Sequence, residues 1–261
     1  MKLKFLSVIT LFTICFQANS QTKVRGKILP KASYSLDLHV YDLEKDSYIK
    51  QRTLTVSDNG KFNFETPNSP NLYKLFMNGK SVTFINDNDK HIDINIDFTS
   101  QSPITFNGSL ASQQLLEYNN LVRSLQIKLL YPLEPLMKEA LKENDKNKIS
   151  EIEQKHKENL KIFINSLMQK INSMGSSLAV YAIIIDLDFN KYLEGIESLY
   201  QKFVEDKPKS RFTVKLGELI NNAKLLRIEK TAPSFTLETV NSGKISLSEL
   251  NSSGKTVLLD F

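Results

Sequence analysis

The run His91-Ile92-Asp93-Ile94-Asn95-Ile96-Asp97-Phe98 alternates polar and apolar residues without a break. A strand of that kind must keep one face buried and the other in water, because side chains alternate across the pleat. Shorter alternating runs precede it at Thr22–Leu29, Leu36–Tyr41, Lys50–Val56, Lys61–Glu65, Tyr73–Met77 and Ser81–Ile85. Asn59-Gly60 and Asn78-Gly79 separate two pairs of them with the dipeptides that favour tight hairpins. Seven or eight short strands at hairpin spacing predict a small antiparallel β-sandwich or barrel over residues 21–109.

At about Leu110 the period changes from two to between three and four. Ile149, Ile152, His156, Leu160, Phe163, Leu167, Ile171 and Met174 form one stripe of a long amphipathic helix that Gly175 ends. His156, lying on that stripe, is expected to be a partly buried core or interface residue. Glu151–Lys155 and Glu153–Lys157 stand on the other face in the favourable i,i+4 order. Ser176–Asp186 reads as a buried helix, although Ala179–Ile185 has strand composition. Tyr192, Ile196, Leu199 and Phe203 predict a further helix stopped by Pro208, and Ser210 caps a last one carrying Phe212, Leu216, Leu219 and Ala223. The region 110–227 is therefore helical, and the chain is α+β.

Residues 1–20 have the pattern of an export signal. Lys2 and Lys4 precede a twelve-residue apolar stretch, Phe5–Phe16, and Ala18-Asn19-Ser20 offers a cleavage site before Gln21. The stretch is short for a membrane-spanning helix, which needs roughly 20 apolar residues. Cleavage before Cys15 as a lipoprotein is disfavoured by the bulky Ile14 and Phe16. The expectation is export to the periplasm or cell envelope, with membrane contact only through an uncleaved leader. Cys15 is the one cysteine of the sequence. An internal disulfide, a Cys-rich zinc site and a Cys-x-x-Cys centre are thereby excluded within these residues. The formal net charge is +5, but 34 Lys and Arg are interspersed with 29 Asp and Glu, so no nucleic-acid footprint is expected.

Individual motifs carry little chemistry. Gly254-Lys255-Thr256 resembles the end of a P-loop, but Glu249 stands where the pattern needs Gly. Asp87-Asn88-Asp89 hints at a calcium loop, yet Ile92 and Phe98 occupy the positions that need Gly and Glu, so a hairpin turn is expected. His39, His91 and His156 are distant in sequence and lack acidic partners at ligand spacing. Lys138–Lys161 holds seven basic and six acidic residues, a solvated helix face. No serine nucleophile signature occurs. No catalytic, cofactor-binding or metal-binding residue is assigned, and no cofactor is expected.

The tail, 228–261, is different in texture. Ala232-Pro233-Ser234-Phe235-Thr236-Leu237 is followed by Gly243-Lys244-Ile245-Ser246-Leu247-Ser248-Glu249-Leu250 and then by Gly254-Lys255-Thr256-Val257-Leu258-Leu259-Asp260-Phe261. These three ordered blocks resemble the opening of a thioredoxin-like domain of the TlpA/ResA-like branch, related to the alkyl hydroperoxide reductase and thiol-specific antioxidant family. One or two extra residues at Asn251–Ser253 depart from the pattern. The resemblance implies that 228–261 is the start of an α/β thioredoxin fold behind an envelope β domain of unknown function. Exported proteins with disulfides, or haem-maturation substrates, would then be the partners.

That family's chemistry resides in a Trp-Cys-x-x-Cys turn directly after the third block. Thr256–Phe261 reads as a central strand that nothing follows, so the chain is expected to be truncated before the redox motif and inactive. The runner-up is a non-enzymatic envelope binding protein acting through its β and helical regions.

Overall fold

The computed structural model describes residues 21–31, 35–77, 79–100, 103–226, 235–239 and 243–252. The leader with Cys15, Asn78 of the second turn dipeptide, Ala232–Ser234 and the Gly254–Phe261 block lie outside the described residues. The order of elements is α+β, strands first and helices after.

Alternation produces eight strands: β1 Gln21–Leu29, β2 Ser35–Asp42, β3 Ser47–Thr55, β4 Lys61–Pro67, β5 Asn71–Met77, β6 Lys80–Asn86, β7 His91–Asp97 and β8 Ile104–Asn107. They form two four-stranded sheets, ordered β4-β1-β7-β8 and β3-β2-β5-β6. Val24, Ile28, Phe62, Ile92, Ile94 and Ile96 of one sheet meet Leu36, Leu38, Tyr73, Leu75 and Phe84 of the other in a single buried cluster. The sandwich that the alternation predicts is present, with two corrections to its wiring.

First, the sheets are not antiparallel throughout: β1 and β7 run parallel, with Lys23 opposite His91 and Leu29 opposite Asp97. A parallel pair needs a long crossover, and here the connection contains the whole second sheet. Second, Asn59-Gly60 does not close a hairpin. It joins β3 to β4 across the two sheets, and the Ile28 amide donates to the Gly60 carbonyl at 2.8 Å. Gly60 has φ +78°, and a Cβ there would fall on the Ile28 carbonyl oxygen, so the turn requires glycine for both reasons. The Asp87–Asp89 turn likewise passes between sheets, from β6 to β7, with Asn88 at φ +66°. Asn78-Gly79 does lie between antiparallel neighbours, β5 and β6. Gly26, opposite Phe62, is glycine because a Cβ would enter the Phe62 ring and press on the Ile94 carbonyl.

The chain divides into two compact units between Leu121 and Val122, inside helix α1, Leu110–Leu125, whereas the sequence places a boundary at 109/110. The first turns of α1 belong with the strands: Ser112 is fully buried and Leu116 packs on the sandwich core.

In the second unit a π-helical turn, Gln126–Leu130, leads to α2, Leu133–Glu143, and α3, Lys146–Ser173. Pro132 has no N–H to give the preceding turn, and the widened backbone leaves the Leu129 carbonyl to the Asn159 side-chain amide at 2.7 Å. Asp145 caps α3 by accepting from the Asn147 and Lys148 amides. Leu133, Ala140 and Ile152 hold the α2–α3 pair together. His156 is exposed, correcting the expectation of a partly buried position: the stripe is covered only in places, and the buried positions of α3 are Ile152 and Ile171. Among the described residues the pairs Glu151–Lys155 and Glu153–Lys157 do not close; Lys148 instead reaches Glu139 at 3.2 Å and Glu143 at 3.4 Å.

Ser177 caps α4, Leu178–Ile184, a helix with every residue buried, which settles the helix-or-strand ambiguity of Ala179–Ile185. Its Tyr181 ring meets Phe212 edge-on at 4.9 Å. Helix α5 is Phe189–Asp206 and α6 is Arg211–Leu225, capped by Ser210 as read. In the tail, β9 Thr236–Glu238 pairs with β10 Lys244–Ser246 and α7 Leu247–Ser252 follows. No described helix is long and apolar enough to cross a membrane.

Candidate functional site

A sandwich has four edge strands, and unpaired edges invite pairing with other chains. Each edge here is blunted by a particular residue. On β6, the Ile85 amide donates to Ser112 Oγ at 2.8 Å, and the Ile85 carbonyl accepts from Ser109 Oγ at 2.6 Å. On β8, the Gln113 side chain donates to the Phe106 carbonyl at 3.0 Å. On β3, a register shift against Leu38/His39 leaves Gln51 unpaired as a bulge. On β4, Arg52 reaches across from the other sheet and donates to the Glu65 carbonyl at 3.0 Å. Four residues earlier, the Ser57 amide takes the Lys61 carbonyl at 2.9 Å. Recognition by adding a strand is therefore obstructed, and side-chain surfaces are left to do it.

Helix α1 covers the β6/β8 side. The β3/β4 side opens as a groove of about 1110 Å3, with Lys23, Arg25, Arg52 and Lys61 around a floor that includes Phe62 and Phe64. The cations continue onto the outer face of the β4-β1-β7-β8 sheet, where a second depression of about 420 Å3 is lined by Arg25, Lys27 and Lys61 with Asp93, Asn63, Asn95 and Asn107.

Strand register sets the electrostatics of this outer face. Glu65, Lys23 and His91 form one lateral row; Asn63, Arg25, Asp93 and Asn107 form the next; Lys61, Lys27, Asn95 and Thr105 form the third. In the second row Arg25 and Asp93 make a two-pronged ion pair, Nε to Oδ1 at 2.9 Å and the terminal nitrogen to Oδ2 at 3.2 Å. In the first, Glu65 stands opposite Lys23. The third row holds two lysines directly opposite each other and no acid. Asp97, one step further along β7, feels Lys27, but its Oδ1 already accepts from the Thr99 hydroxyl at 2.6 Å and the Thr99 amide at 2.9 Å.

The carboxyl groups of this unit differ in a testable order. Hydrogen bonds from the Thr99 hydroxyl and amide hold Asp97 below the ordinary carboxyl range, and Lys50 with Thr53 does the same for Asp37. Burial pushes Asp89 upward, against the Asp87 amide that donates to it. On acidification Asp89 protonates before Asp37 and Asp97. Its protonated form is favoured by folding, so its contribution to stability grows as pH falls through its raised value toward the unfolded one near ~3.9. The contributions of Asp37 and Asp97 are present above that unfolded value and are lost as pH falls through their lowered ones. An NMR titration of the carboxyl carbons is expected to give Asp89 the highest midpoint of the three; an Asp89 midpoint below that of Asp37 contradicts this account.

The structure keeps the histidines apart in role: His39 tilts over Phe76 at 4.4 Å on β2, His91 lies exposed on β7, and His156 lies on α3. Among the described residues no three His, Cys, Asp or Glu side chains gather as a metal site would require. Ser109 and Ser112 are fully buried and bonded to backbone, which removes them as nucleophiles. The cationic rows escape a reading of the sequence alone, because Lys27 and Lys61 become neighbours only through the β1/β4 register. Asn59-Gly60, read as a hairpin, conceals that register. No protein-family model, curated protein or solved structure matches the chain.

Proposed function

We propose that the chain is an exported member of the TlpA/ResA-like thiol–disulfide oxidoreductase family, with a binding region at 21–226 ahead of its redoxin-like tail. The three ordered blocks of the tail carry this reading, and the β9–β10 hairpin followed by α7 has the order of elements that the blocks imply. Thiol–disulfide exchange needs an attacking thiolate, and the sequence holds a single cysteine, in the leader. These residues by themselves therefore carry out no thiol–disulfide exchange. In an insulin-reduction assay the chain is expected to be inactive. Joining it to a thioredoxin remainder with Trp-Ala-x-Trp-Cys-x-x-Cys after Phe261 is expected to produce activity, with the first cysteine as nucleophile and the second resolving. Activity of the chain itself overturns the thiol argument, and inactivity of the joined protein overturns the family reading.

A second reading, a non-enzymatic envelope binding protein, is favoured by a separate observation. The sandwich blunts its four strand edges yet keeps a groove edged by cations and an outer face with two lysines directly opposite each other. Under that reading a ligand raises the melting temperature of residues 21–226 whether or not the tail is present.

A further inference from the structure

We infer that the outer face of the β4-β1-β7-β8 sheet binds a tetrahedral oxyanion, a phosphate or sulfate group, between Lys27 and Lys61. The inference rests on reading the sandwich as a binding unit and is independent of the redoxin resemblance. Lys27 and Lys61 face each other directly in the β1/β4 register, an arrangement that costs stability when nothing lies between like charges. The neighbouring cation cannot be borrowed to explain them: Arg25 is engaged by both oxygens of Asp93. Asp97 is the acid that Lys27 influences, and its carboxylate is engaged by Thr99.

The chemistry of the donors selects the anion. A carboxylate is matched best by a planar guanidinium fork, and here that fork is already occupied. Two ammonium groups act as point charges and suit an anion that spreads two charges over several oxygens. The depression of about 420 Å3 between them is bordered by Asn63, Asn95 and Asn107 and by Asp93, whose carboxylate Arg25 neutralises; the amide groups donate to oxygen and also accept from hydroxyls. That border suits a phosphate or sulfate ester on a sugar as well as the free ion. Single-stranded nucleic acid is disfavoured, since Phe62, the aromatic residue lining this depression, is buried and offers no face for a base.

The test is an amide-shift titration of the full chain with inorganic phosphate, sulfate, acetate and chloride at matched ionic strength, and with glucose 6-phosphate and glucose 6-sulfate. Saturable shifts at Lys27, Lys61 and Asn95 are expected with phosphate and sulfate, with dissociation constants on the order of 1 mM. Lys27→Gln and Lys61→Gln each weaken binding at least about fivefold, while Lys45→Gln, in the exposed β2–β3 turn, leaves it unchanged. At low salt both variants melt no lower than the parent, because a repulsion has been removed, and added phosphate raises the melting temperature of the parent alone. Tighter binding of the sugar esters than of the free ions identifies an ester as the ligand, and equal binding identifies the ion; both support the site. Equal shifts with chloride, or affinities unchanged in the two variants, overturn it. Saturable binding of acetate but not phosphate at these residues also overturns it and leaves the binding-unit reading intact.

Discussion

Replacing Phe84 by alanine is expected to remove about 3–5 kcal/mol from the stability of the sandwich. Phe84 is fully buried on β6. Its ring stacks on Tyr73 at 5.0 Å with 12° between planes and meets Phe64 edge-on at 6.1 Å. Tyr73 belongs to the same sheet and Phe64 to the other, so the truncation empties a space that both sheets line. Close-packed interiors relax only partly around such a loss, and a cavity term adds to the lost transfer energy. Urea unfolding followed by circular dichroism measures the change as a lower midpoint at constant slope. Leu136→Ala is the internal comparison: that side chain is 43% exposed on α2, and its loss is expected to stay within about 0.5 kcal/mol. A Phe84→Ala loss below ~1 kcal/mol contradicts the two-sheet core.

Local pattern made most of the elements legible. Strict alternation at His91–Phe98 marks β7 to within one residue, because one side must be dry. Ser210 before Arg211-Phe212 marks the start of α6, since its hydroxyl accepts from the Phe212 amide. Partnership between elements was far less legible. Asn59-Gly60 has the conformational freedom of a hairpin turn, but that freedom also serves a crossing between sheets, and the Ile28 amide that decides between them lies 32 residues away. A separate crossing at Asp87–Asp89, from β6 to β7, brings β7 beside β1 in parallel. His156 fits its stripe by spacing, yet spacing does not say which levels of a 28-residue helix another element covers, and only Ile152 and Ile171 of α3 are buried.

The candidate site was illegible for the same reason. Lys27 and Lys61 look like ordinary solvated lysines until the register places them opposite each other, and Arg25 looks like a free cation until Asp93 is found beside it. Each half of these pairs is unremarkable by itself. A cap such as Ser210 resides in one contiguous stretch and can be read from a sequence. Chemistry assembled from alternate positions of three strands requires the fold first.

The double replacement Ser109→Ala/Ser112→Ala is expected to cost about 2–5 kcal/mol and to open the β6 edge. Ser112 Oγ is the acceptor for the buried Ile85 amide, and both hydroxyls lie on the Ile85 carbonyl, at 2.6 and 3.2 Å. Ser109 Oγ also accepts from the Ser112 amide at 3.1 Å and so caps α1. All of these groups are out of water, so removing the hydroxyls leaves a donor and an acceptor with no replacement partner, at about 1–3 kcal/mol for a buried unsatisfied group. Loss of the cap adds ~0.5–2 kcal/mol. The two hydroxyls are 2.8 Å apart, so the single variants are coupled and a double-mutant cycle is expected to show non-additivity of at least about 0.5 kcal/mol. Hydrogen exchange supplies the site-specific readout: the Ile85 amide loses protection in Ser112→Ala while Val24 and Ile94, in the middle of the other sheet, keep theirs in proportion to global stability. Sedimentation adds a second, because an uncovered edge strand pairs with another copy. An Ile85 amide that stays protected in the double variant, with a stability loss under ~1 kcal/mol, removes α1 from its role as the cover of this edge.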